Sequence, residues 1–95
     1  MSRAFVKEDD ATPEPRHRLP GPDDPSFPAA AARALLQGAD AGDSAGAEAA
    51  TGYLFGDPRL VGEVTRILLE ARDDRDDRLE QLAERFLTRA GAQVP

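Results

Sequence analysis

The chain has 95 residues, a formal net charge of −6 and a pI near 4.6. Of its 38 hydrophobic residues 17 are Ala, so only 21 larger apolar side chains are present, and a large enzyme with a deep cleft of its own is excluded. An acidic chain is repelled by phosphate backbones and by anionic membrane surfaces, which disfavours nucleic acid and lipid and favours a basic protein surface.

There is no Cys, so neither a disulfide framework nor thiolate chemistry is available, and a reducing compartment is expected. No segment reaches the ~18 consecutive apolar residues of a membrane span. The opening, MSRAFVKEDD, has early basic residues but no apolar stretch behind them, unlike a secretory signal. A cytoplasmic location is the expectation.

Residues 1–25 hold five of the eight prolines together with ten charged side chains. Such a segment buries too little apolar surface to offset its ordering entropy, so it reads as a disordered, Pro-rich acidic arm. Residues 26–95 read as one small helical domain, because no stretch alternates apolar and polar residues as a strand would.

The first expected helix runs from Pro28 to about Ala39, with Ser26 as N-cap and Gly38 weakening its end. The second, Ser44 to Thr51, is short and interrupted by Gly46, and a loop is the alternative there. The third is capped by Asp57, has Pro58 in its first position and reaches about Arg72. Leu60, Val61, Val64, Ile67, Leu68 and Ala71 give it one apolar stripe at helical spacing. Arg59, Glu63, Arg66 and Glu70 form an alternating-charge edge, expected to add ~0.2–0.5 kcal/mol per pair. Leu69 points off the stripe, toward another helix or solvent.

The fourth helix begins near Asp77, with Asp77 and Glu80 arranged like a capping box. Its apolar face is Leu79, Leu82, Ala83, Phe86, Leu87 and Ala90, and Gly91 stops it. The short DDRDD connection makes helices three and four an antiparallel hairpin. The expected fold is all-α, a small three- to four-helix bundle ending in that hairpin. Its core is thin, which favours folding with a partner or association to a homodimer.

Chemistry-bearing constellations are sparse. His17 stands alone in the arm and cannot make an ordinary zinc site without Cys. The acids around Arg75 do not follow a calcium-loop pattern: counting from Asp73, the sixth position is Arg78 where Gly is required. They read as a polar turn before a helix. Tyr53, Leu54 and Phe55, between two glycines, read either as a plug for the bundle end or as an exposed docking loop.

The opening Ser2-Arg3-Ala4-Phe5-Val6-Lys7-Glu8-Asp9-Asp10, followed by prolines and Leu19-Pro20, resembles the start of Gre-type (GreB-like) bacterial transcription elongation factors. The likeness covers about a quarter of the chain. It implies a partner in RNA polymerase, with Arg3, Phe5 and Lys7 as contacts. In that family two acids at the tip of a coiled coil hold magnesium for transcript cleavage. Here Asp43 matches the first acid, Gly46 stands at the second, and Glu48 follows two residues later. The family's C-terminal domain has no counterpart. These residues lead to a non-enzymatic binding module with no cofactor. Arg3, Phe5, Lys7, Tyr53, Phe55 and Leu69 are the candidate contacts, and Asp43 with Glu48 is the weak metal alternative.

Overall fold

The computed structural model describes residues 18–95. The part of the expected arm that precedes residue 18, with Arg3, Phe5, Lys7 and His17, lies outside the described residues. Those described form an all-α fold with no strand: α1 (Phe27–Asp40), α2 (Ser44–Thr51), a 3-10 turn (Pro58–Leu60), α3 (Val61–Asp73) and α4 (Asp77–Arg89).

Residues 18–25, read from sequence as the end of the arm, lead into α1 through successive turns. Asp24 N–H donates to Gly21 O at 2.9 Å, and Phe27 N–H to Asp24 O at 2.9 Å. The capping expected of Ser26 differs in detail. Its hydroxyl makes no cap bond but donates to Asp24 Oδ1 at 2.7 Å, and its own N–H reaches the same oxygen at 2.8 Å. These two donors hold the Asp24 carboxyl below the usual carboxylate range.

The helices form two hairpins, α1–α2 and α3–α4, and α1 also packs on both helices of the second. Leu35 and Leu36 of α1 meet Leu60, Val64, Ile67 and Leu68 of the third helical segment and Leu82, Phe86 and Leu87 of α4 in one buried cluster. The apolar stripes expected for the last two helices are the faces that turn inward. Val61 and Leu79 pack at its margin, half-buried.

Gly38, in the last turn of α1, has a packing task beyond the helix-weakening one expected of it. It lies buried within the helix, and a Cβ there would stand 2.6 Å from the Ala47 Cβ and 2.9 Å from the Asp43 carbonyl oxygen. Glycine is what lets α2 approach α1 so closely.

Both hairpin turns are built alike. After α1, Gly42 adopts a left-handed conformation (φ 72°), and Asp43 N–H reaches back to Gly38 O at 2.7 Å. After α3, Arg75 adopts it (φ 57°), and Asp76 N–H reaches Ala71 O at 2.8 Å. These bonds close each helix in a Schellman motif. The same two aspartates then open the next helix: Asp43 Oδ1 accepts from Gly46 N–H and Asp76 Oδ1 from Leu79 N–H, each at 3.1 Å. The N-cap of α4 is therefore Asp76, one residue before the expected Asp77. Glu80 makes no capping-box bond and accepts from Arg72 Nε at 3.0 Å.

The alternating-charge edge of α3 also works differently from its sequence reading. Glu70 pairs with Arg33 of α1 at 2.6 Å, and Arg59 with Asp57 at 2.8 Å. Among the described residues no ion pair runs along that edge: Glu70 ties α3 to α1, and Arg59 turns back to the cap residue two positions before it.

Candidate functional site

Two surfaces carry more chemistry than the rest. The first is the loop between α2 and the 3-10 turn. Gly52 (φ 77°) ends α2 in the left-handed conformation, and Thr51 anchors the exit. The Thr51 hydroxyl donates to Ala47 O at 2.9 Å and accepts from Tyr53 N–H at 3.1 Å. Further on, Glu48 Oε2 accepts from Phe55 N–H at 2.9 Å, and Asp57 N–H donates to Leu54 O at 3.0 Å. Three of these hydrogen bonds fix the loop of six residues, 52–57, and the Thr51–Ala47 bond anchors its start.

Within this clamp the side chains alternate. Phe55 turns inward and meets the buried Phe86 ring edge-on, with centroids 5.0 Å apart. Tyr53 lies against the same core, 6.3 Å from the Phe27 ring, and the Arg59 guanidinium stacks over it at 4.6 Å. Asp57 grips Arg59 through both carboxylate oxygens, at 3.1 Å (Nε) and 2.8 Å (Nη2), and also accepts from its backbone N–H at 2.9 Å. These bonds lower the Asp57 carboxyl to about 2.

Tyr53 and Phe55 are therefore half-buried, packed on the core. Leu54, which the sequence reading did not single out, is the exposed residue of the three, at 65%. Alternation within the triplet was the available signal: with both neighbours turned to the core, the middle side chain faces water. Leu69 is also exposed, at 51%, on the outer face of α3.

The second surface is a groove of about 330 Å³ between α1 and the start of α4. Leu36, Leu79 and Leu82 line it, with Arg33, Asp40 and Asp76 among the polar groups at its sides. Arg78 Nε binds Asp40 Oδ1 at 2.7 Å and ties α4 to α1 there.

Asp43 and Glu48, the weak metal candidates, have structural tasks. Asp43 caps α2, and Glu48 holds the Phe55 amide. Among the described residues no three His, Cys, Asp or Glu side chains are gathered as a metal site. No described helix is long and apolar enough to cross a membrane.

Comparison with family models, curated proteins and solved structures returns no match.

Proposed function

We propose that this chain is a small, non-enzymatic protein-binding module that contacts bacterial RNA polymerase through its N-terminal segment. The observation that carries the reading is the run Ser2–Asp10, with its likeness to the opening of Gre-type factors. The net charge of −6 supports a protein partner with basic surface over nucleic acid. The tasks of Asp43 and Glu48 weigh against cleavage stimulation: each carboxylate already accepts a backbone N–H, and the two serve different segments.

The test is a pull-down with core RNA polymerase, using the full chain and the full chain carrying Arg3→Glu, Phe5→Asp and Lys7→Glu. Capture by the first and not by the second is expected. Failure of the unaltered chain to bind at micromolar concentration overturns the polymerase reading.

Exposed Leu69 supports a second reading, self-association through the outer face of α3. A mass in sedimentation that stays monomeric as concentration rises removes it.

A further inference from the structure

The leucine-lined groove continues along α1. A second depression, of about 190 Å³, shares Arg33 and Gln37 with it and is lined by Leu19, Ala30 and Ala34. The two make one track that runs from Arg18 to the acidic turn between α3 and α4. Arg18 is the first described residue, so residues 1–17 join the fold at the mouth of the track.

Those residues carry chemistry that matches it. Phe5 and Val6 are the one adjacent pair of large apolar residues in the segment, and Arg3 and Lys7 flank them. The far end of the track offers three leucines beside Asp40 and Asp76, with Asp73, Asp74 and Asp77 close by in the chain.

Length is sufficient as well. From Ala30 to Asp40 the helix rises about 15 Å at 1.5 Å per residue. Residues 8–17 span up to ~30 Å when extended at about 3.1 Å per residue, as a Pro-rich tether would be. A tether of that length holds its end at roughly millimolar effective concentration near the groove, so weak complementarity is enough to populate the docked state.

The geometry points to residues 3–7 of this same chain as the occupant of the track, with Phe5 and Val6 over Leu36, Leu79 and Leu82, and Arg3 and Lys7 beside Asp40 and Asp76. The half-exposed Asp40 carboxylate is shared between Arg78 and the incoming cation. In the resting chain the groove shields this segment, and any partner that reads Arg3, Phe5 and Lys7 competes with it. The inference goes beyond the polymerase reading, and its test involves this chain alone.

The full chain has no Cys, so Ser2→Cys provides a single attachment point for a nitroxide, read by paramagnetic broadening of backbone amides. Amides of Gln37, Asp40, Leu79 and Leu82 are expected to lose intensity about twofold or more against the reduced sample, as befits a short tether docked most of the time. Those of Ala49 and Ala50 in α2, which does not line the track, and of Ala90, beyond the far end of α4, are expected to change little. Adding Phe5→Asp to the tagged chain is expected to abolish the effect. Broadening that is uniform, centred elsewhere, or unaltered by Phe5→Asp overturns the proposal. So does broadening that passes from tagged to untagged molecules in a mixture, which would assign the groove to a second copy.

Discussion

Arg75 is the one described residue other than glycine with positive φ, and its counterpart in the first hairpin is Gly42. An L side chain in the left-handed region costs roughly 1–2 kcal/mol, which glycine avoids. Arg75→Gly removes that cost but gives the unfolded chain about 0.4–1 kcal/mol of extra conformational freedom. It also removes a guanidinium from among four aspartates, a loss of a few tenths of a kcal/mol at an exposed site. The net expectation is about 0.5 kcal/mol of stabilisation, a rise in Tm of about 2–4 °C for a domain of this size.

Arg75→Ala separates these contributions, because it loses the charge and keeps the backbone cost. It should fall below Arg75→Gly by about 1 kcal/mol. Gly42→Ala provides the reciprocal measurement. No atom lies within 4 Å of a Cβ built there, so any loss is conformational and should be about 1 kcal/mol. Thermal unfolding followed by far-ultraviolet circular dichroism, at several protein concentrations, reads all three variants. An Arg75→Gly variant no more stable than Arg75→Ala would refute the assignment of strain to this turn.

Two further predictions concern the clamped loop. Asp57 has its carboxyl lowered from 3.8 to about 2, so its contribution is complete above pH 5 and is lost as pH falls through 4 toward 2. Because its partner Arg59 is 69% exposed, that contribution should be about 1 kcal/mol. The urea midpoint of Asp57→Asn should lie below that of the unaltered chain at pH 7, and the difference should shrink to a small fraction by pH 2. Glu48→Gln keeps an acceptor for the Phe55 amide and should change stability little, whereas Glu48→Ala should cost about 1 kcal/mol. Equal losses in both variants would show that charge at residue 48 matters more than the hydrogen bond.

Periodicity made the last two helices readable from sequence, since Val64, Ile67, Leu68, Leu82, Phe86 and Leu87 recur on a single face of each and are buried. Asp57 was legible as a cap because Pro58 follows it, although what it caps is the 3-10 turn that leads into α3, and residues 44–51 form the short helix and not the alternative loop. The cap at Asp76 was not, because its position depends on where the preceding helix closes, and that is set by Arg75 entering a conformation usually reserved for glycine. The packing role of Gly38 was not legible, because it depends on Ala47 of another helix, a contact that no local pattern encodes. The exposure of Leu54 and the pairing of Glu70 with Arg33 likewise depend on tertiary neighbours, whereas Arg59 turns back to Asp57, two residues before it. The groove combines residues about forty positions apart, Leu36 with Leu79 and Leu82, and only the assembled fold brings them together.

Asp43 and Asp76 each end one helix and begin another, which bears on how the chain meets a protease. The turn around Arg75 is exposed and, though acidic, carries an arginine, the residue after which trypsin cuts when the backbone can be drawn out. Here the backbone cannot be freed on one side alone. Extending Arg75 breaks the hydrogen bond from Asp76 N–H to Ala71 O that closes α3, and moving Asp76 strips the first turn of α4 of its cap. Local fraying, which ordinarily exposes a helix end at little cost, must therefore open two helix ends together, so cleavage at this tip follows the opening of the whole hairpin and not the accessibility of its surface.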